Sequence, residues 1–488
     1  AEVRSFPSGS LLVPLAQPGR RLATALFERD AAIDESVLKD AAERRRLHGD
    51  PPFYDATAWS LPLAMNLRAY EATETPHVSV TSLLPAPSRE LPGHGVPPPG
   101  FGPWPPPIAT SVEAGRAAPA PAEAGFAYLL PPTGNGALAA FASLVARDDL
   151  VVEVAAKSFT VGGRSYAPGT SVLKVRRNPP TLGELVAGAA RTFGATFGTA
   201  ASGLVDAGVD LGSGSVVRVK MPRIATIYGD PASPTSTGWL QFVLRERYGL
   251  KITPVRARAL VNQADLRRYD VIILPDGSAG GYRDTFGKDG VALLRSWVEA
   301  GGTMITFKGA SAFAASRVTA WVSSKQIRQP RSAPIVPAGV PSPAAAPSPA
   351  PAASADADPN APDADSGDEE SPATVPGAIL RVVLEPSHPL SFGYDGEVPA
   401  MISGSLVFSL AKDGVNVGVF AAKERLRLGG FMWKESIDLL AGKPFVIAER
   451  RGRGTVVLFA DDPDFRGGWD ALNRMLLNAV LLVPAFEN

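Results

Sequence analysis

Short apolar runs alternate with amphipathic stretches between residues 222 and 320, and nowhere else in the chain is the pattern as clear. Ile224-Ala225-Thr226-Ile227 reads as a strand ending at Gly229-Asp230, followed by a helix from Thr237 with Leu240, Val243 and Leu244 inward. Val271-Ile272-Ile273-Leu274 is a second strand, ending at Pro275-Asp276-Gly277. Residues 290–300 place Val291, Leu294 and Val298 on one helix face before Gly301-Gly302, and residues 303–307 are the next strand. Apolar strands alternating with amphipathic helices predict an α/β fold with a doubly wound, mostly parallel sheet.

Upstream the periodicity comes in shorter pieces. Residues 1–84 read as a small α/β segment, strand-like at 10–13 and helical at 19–28, and residues 85–124 as a Pro-rich loop or linker. Residues 125–220 form a second small α/β unit, with strands at 126–130, 151–154 and 171–175 and helices at 136–147 and 182–193. A hairpin there turns at Gly162-Gly163. The pattern of 221–328 resumes at 377–488, with strands at 418–421, 445–449 and 455–460 and a helix from Trp469. Residues 329–376 are Pro, Ala, Ser and acidic, too poor in apolar side chains to bury a core, and read as a disordered insert within one domain. Asp356, Asp358, Asp363 and Asp365 stand there among prolines without the glycine a calcium loop needs, so a solvated linker is the better reading.

Composition narrows the function. Lys plus Arg and Asp plus Glu are 48 each, so the chain as a whole lacks the basic surface that nucleic acid requires. The complete lack of cysteine excludes disulfides, thiolate metal ligands and a cysteine nucleophile. The most apolar terminal stretch, 475–486, is too short to span a bilayer, and no membrane insertion is expected. The opening Ala1-Glu2-Val3-Arg4 shows no signal-peptide pattern.

Four histidines, His48, His77, His94 and His388, form no H-x-x-E or H-E-x-x-H spacing, so no metal site is expected. Gly134-Asn135-Gly136 and Gly212-Ser213-Gly214 do not complete a dinucleotide-binding fingerprint, and no cofactor is expected in the chain. Ser311 is the one hydroxyl at the strand-to-helix elbow Lys308-Gly309-Ala310-Ser311, where a helix cap is the plain alternative to a nucleophile. No catalytic residue is assigned. Ligands of open parallel sheets sit beyond the carboxyl ends of the strands, near the reversal of strand order. The strand-end residues Asp230, Asp276, Lys308, Ser311, Asp461 and Asp462 are therefore the candidate ligand cleft, an acidic rim with one lysine suited to an amine, a cation or a peptide N-terminus. Capping of the following helices is the competing reading.

Three stretches resemble the region downstream of the catalytic domain in large bacterial zinc carboxypeptidases of the carboxypeptidase A-like family. They are Phe6-Pro7-Ser8-Gly9-Ser10 through Ala16-Gln17-Pro18, Tyr54-Asp55 through Trp59-Ser60-Leu61-Pro62, and Phe159-Thr160-Val161-Gly162-Gly163 through Pro168-Gly169-Thr170. From Arg223 onward the chain resembles the class I glutamine amidotransferase-like domain that closes those proteins, with a flavodoxin-like sheet. Its landmarks are the stretches 270–276, 297–302 and 461–466. Active amidotransferases of this class carry Cys at the elbow, where Gly309-Ala310-Ser311 stands here, and H-P-E where this chain has Asp462-Pro463-Asp464.

The resemblance thus implies a non-catalytic domain in an accessory region of a secreted or periplasmic metallocarboxypeptidase. It would position, bind or assemble, and zinc would belong only to a catalytic domain upstream. The implied partners are that peptidase domain and a peptide substrate, with oligomerisation left open. The alternatives are a catalytically dead amidotransferase-like ligand-binding protein and a free-standing hydrolase.

Overall fold

The computed structural model describes residues 5–6, 10–29, 33–48, 60–72, 119–330, 369–370 and 374–487. The calcium-loop aspartates and most of the Pro-rich stretch at 85–124 lie outside these residues. Within 5–72 the chain forms helices α1 (Arg20–Phe27), α2 (Glu35–His48) and α3 (Leu61–Ala64). The strand expected at 10–13 is instead exposed coil, with Leu11 68% accessible. Among the described residues no strand pairs with it, and a lone extended segment leaves its hydrogen bonds to water. Helix α1 buries none of its residues, although Leu22, Ala25 and Leu26 share a face.

The small unit after residue 119 contains β1 (Ala127–Leu130), β2 (Val152–Ala155), β3 (Phe159–Val161), β4 (Arg164–Tyr166), β5 (Ser171–Lys174), β6 (Gly198–Ala200), β7 (Ala207–Gly208) and β8 (Val216–Val219). Five of them form a sheet in the order β6-β1-β5-β2-β8, antiparallel throughout, with α4 (Gly134–Val145) and α5 (Leu182–Phe193) packed together. The β3–β4 hairpin turns at Gly162 and Gly163, both at positive φ (57° and 72°), the geometry of a primed turn.

The large unit contains β9 (Ile224–Ile227), β10 (Ile252–Val255), β11 (Val271–Leu274), β12 (Thr303–Phe307), β13 (Gln329–Pro330), β14 (Glu369–Glu370), β15 (Val375–Leu384), β16 (Glu397–Gly404), β17 (Val415–Phe420), β18 (Arg427–Phe431), β19 (Pro444–Arg451) and β20 (Gly454–Phe459). Ten of these make one sheet. Its parallel half runs β10-β9-β11-β12-β20, and β19-β17-β15-β16 continue it antiparallel, with β18 also on β15. The chain is thus α/β with a mixed, half-parallel large sheet.

Strands β9, β11 and β12 are buried at every position, which is why they read as continuous apolar runs. Connections in the parallel half pass through α6 (Pro234–Gln241), α7 (Ala257–Asn262) and α8 (Ala279–Glu299), and α9 (Lys308–Ala314) follows β12. The chain steps from β9 outward to β10, then back across to β11, so strand order reverses between β9 and β11. Right-handed crossovers put α6 on one face and α7 and α8 on the other. In keeping with this, α7 packs on α8 while Trp239 of α6 stacks edge-on against Phe465. Helix α8 begins eleven residues before the expected 290 and breaks at Gly287, whose φ of 60° no helix tolerates. That break hides its first half from a periodicity reading. One hydrophobic cluster runs from Leu138 and Phe141 of α4 into the large sheet, so the two units share a core.

Candidate functional site

The ends of β9, β11, β12 and β20 all fall on one edge of the parallel sheet, because these four strands run in the same direction. Asp230, Asp276, Lys308 and Asp461 with Asp462 follow them directly. The sharpest turn is at Lys308, which takes φ 47° between β12 and α9, a conformation that L residues rarely adopt. Gly309 makes the turn feasible: a Cβ there would lie 1.8 Å from the Gly277 carbonyl oxygen. Asp276 Oδ1 joins the two loops, accepting from the backbone N–H of Gly277 at 2.8 Å and of Gly309 at 2.9 Å.

Lys308 Nζ lies 3.1 Å from Asp461 Oδ1 and donates to Ser403 Oγ at 3.3 Å. Asp461 is 3% exposed and also accepts from the backbone N–H groups of Asp462 and Ser403. Ser403 belongs to β16, the far end of the sheet path, so the antiparallel half curls back to cover this edge. Asp462 Oδ1 accepts from Ser236 Oγ at 2.5 Å, and Ser236 Oγ in turn accepts from the Asp276 N–H at 3.0 Å. Asp464 is fully buried, and neither of its carboxyl oxygens has a hydrogen-bond partner.

These surroundings decide the protonation states. Burial, then the adjoining Asp461 charge, pushes Asp462 up to about 7 against the opposing pull of Ser236 and Lys308. Burial raises Asp464 well above the carboxylate range, with Asp462 adding to the effect. Asp276 is raised by burial, partly offset by the Gly309 N–H. Burial works against the Lys308 charge, but Asp461, Asp462 and Asp276 outweigh it, and its net shift is upward. The network thus sets the Lys308 ammonium against Asp461, while burial favours the protonated forms of Asp462 and Asp464.

The six predicted cleft residues divide. Asp276, Lys308, Asp461 and Asp462 form one connected group. Asp230 follows β9 on the same edge and is exposed. Ser311 does not join: its Oγ is fully buried, donates to the Phe459 carbonyl at 2.7 Å and bonds Thr306 Oγ1 at 2.9 Å. It is neither nucleophile nor cap, because α9 starts three residues earlier and the elbow position is Lys308. Sequence reasoning passed over Ser236 and Ser403. The first looks like an ordinary residue of a helix start, and the second comes from a strand with no sequence proximity to the edge it covers.

Lys308 stays charged, so its nitrogen has no lone pair for attack, and the elbow offers no other nucleophile. His388 is the only histidine whose side chain is described; it sits in the buried contact with Glu487 at 2.6 Å and accepts from Leu390 N–H. Among the described residues no cluster of His, Asp and Glu could hold a metal ion, and no helix is long and apolar enough to cross a membrane.

No known family model and no curated protein matches the chain. Solved structures similar to it include a ThuA-like protein from Parabacteroides merdae, 10% identical over 54% of this chain and 89% of that one, with TM-score 0.34. A glutamine amidotransferase from Thermotoga maritima is 8% identical over 53% of this chain and 96% of that one, at TM-score 0.32. A cytoplasmic protein from Salmonella typhimurium is 14% identical over 53% of this chain and 97% of that one, at TM-score 0.31. Likeness at this level carries no inference about what the chain does.

Proposed function

We propose that this chain is a non-catalytic, amidotransferase-like binding module whose ligand meets the carboxyl edge of the parallel sheet. The observation that carries this reading is the elbow: the position from which a nucleophile would project holds Lys308, ion-paired to buried Asp461. Asp276, after β11, and the exposed Asp230, after β9, supply acceptors beside the strand-order reversal, suited to a ligand carrying an amine. Two measurements test the reading. Incubation with glutamine should release no ammonia above a blank; release that Lys308→Ala abolishes would overturn it. Calorimetric titration with a short peptide amine should show saturable binding that Asp230→Asn and Asp276→Asn weaken about tenfold. Absent or unchanged binding would reduce both residues to loop caps.

The narrower reading, an accessory region serving a secreted metallocarboxypeptidase, rests on the sequence stretches that resemble that family. Of these, residues 159–170 form the β3–β4 hairpin and its exit, while residues 54–59 lie outside the described set. A reading frame upstream of Ala1 that encodes H-x-x-E and a later His supports this role. A start codon immediately upstream refutes it.

A further inference from the structure

The amino-terminal edge of the same sheet carries a second polar feature, unconnected to the Lys308 network. Between the end of α8, the start of β20 and the segment after α9 lies a cavity of about 180 Å3. Arg295, Arg451, Trp321, Val298 and Val456 line it. That volume far exceeds the ~10–15 Å3 a single water needs. Trp321 is 2% exposed, and its indole Nε1–H has no hydrogen-bond partner. A buried donor left unmet is costly, so an acceptor belongs there.

The walls are held rigidly. Ala320 is at φ 43°, outside the usual range for an L residue. The turn it belongs to is fixed from three sides. Thr319 Oγ1 donates to the Phe313 carbonyl at 2.6 Å, Arg295 donates to the Thr319 carbonyl, and Arg451 Nε donates to the Trp321 carbonyl at 2.9 Å. A second edge of Arg451 meets fully buried Glu449 at 2.5 Å. A guanidinium has five N–H donors, so both arginines keep donors beyond these bonds. Glu299 also lines the cavity; it and Arg295 both stand at the exposed rim, where solvent screens their charges. Arg295, four residues before it on α8, turns to Thr319 instead.

We propose that this cavity binds a small organic oxyanion, a carboxylate or a phosphate monoester. The charged group would lie between the Arg295 and Arg451 guanidiniums, with one oxygen accepting from Trp321 Nε1–H and the apolar part against Val298, Val456 and the indole. Arginine suits such groups because its planar fork matches two oxygens at once. The proposal is independent of any ligand at the carboxyl edge.

Proton–nitrogen correlation spectra of the full chain test it, with the Trp321 indole signal identified by its loss in Trp321→Phe. Benzoate, phenyl phosphate and inorganic phosphate are titrated separately at constant ionic strength. The expected result is a saturable shift of the Trp321 indole signal with benzoate or phenyl phosphate, the stronger of the two naming the headgroup. The shift should require at least tenfold more ligand in Arg295→Met. No saturable shift with any probe, a shift undiminished in Arg295→Met, or inorganic phosphate acting as strongly as the organic probes overturns the proposal. Should Trp321→Phe fail to fold, calorimetry of the parent against Arg295→Met gives the same comparison.

Discussion

The two edges of the parallel sheet satisfy their polar groups in opposite ways. At the carboxyl edge, side chains meet side chains: Lys308 meets Asp461 and Ser403, and Ser236 meets Asp462. At the amino edge, Arg295 and Arg451 each donate to a backbone carbonyl, Arg451 also pairs with buried Glu449, and the indole N–H of cavity-lining Trp321 is left without a partner. The first arrangement couples charge to the folded state. The second fixes donors in place without consuming them. Perturbing the first should therefore change stability and its pH dependence, and perturbing Arg295 at the second should change binding alone.

Four substitutions sharpen this contrast. Lys308→Met leaves Asp461 buried without its cation and should cost about 3–5 kcal/mol, read from urea unfolding at pH 7. A loss under about 1 kcal/mol would mean that the pair is solvated and the carboxyl edge resembles the other. Next, Gly309→Ala drives a methyl into the Gly277 carbonyl and should cost about 1–3 kcal/mol, since the clash is with backbone.

Asp462→Asn should act in the opposite direction. The folded-state value of about 7 lies above the unfolded value near ~3.9. Between these values the folded chain keeps a proton that the unfolded chain releases, so stability is lost as pH rises through the window. Asparagine has no proton to lose. The variant should gain about 1–3 kcal/mol over the parent at pH 8 and nothing at pH 4, measured by urea midpoints at both. Equal effects at the two pH values would show that Asp462 does not carry the stored proton. The smallest effect is expected at the amino edge. Arg295→Met should leave the urea midpoint within about 0.5 kcal/mol of the parent; a loss as large as that of Lys308→Met would erase the distinction between the edges.

How much of this was legible in the sequence follows from where each residue's neighbours come from. Strands β9, β11 and β12 are buried on both faces, so their apolar runs are unambiguous, and parallel pairing then puts the residues after them on one edge. Asp276, Lys308, Asp461 and Asp462 could be grouped on that ground alone. Ser403 could not, because it reaches Lys308 only through the curl of the antiparallel half. Ser311 was misplaced for a local reason. The positive φ at Lys308 starts α9 at once and turns the serine inward to the Phe459 carbonyl. A three-residue shift of the elbow, from Ser311 to Lys308, thus exchanges a candidate nucleophile for a cation. The strand expected at 10–13 failed because an apolar run specifies a strand only where another strand is present to pair with it.

The short pairing of β13 with β14 sets Gln329 opposite Glu370 and Pro330 opposite Glu369. The two ends of the intervening segment are thereby held together, and closing a flexible loop costs only about 0.6 kcal/mol more per doubling of its length. A foreign sequence spliced there would be carried as cargo. Severing the chain there would give two polypeptides, one ending after β12 and the other supplying β20, which pair along five registered positions. The protein is in that sense already divided into two complementing halves, ready to serve as a split reporter whose signal depends on the halves finding each other.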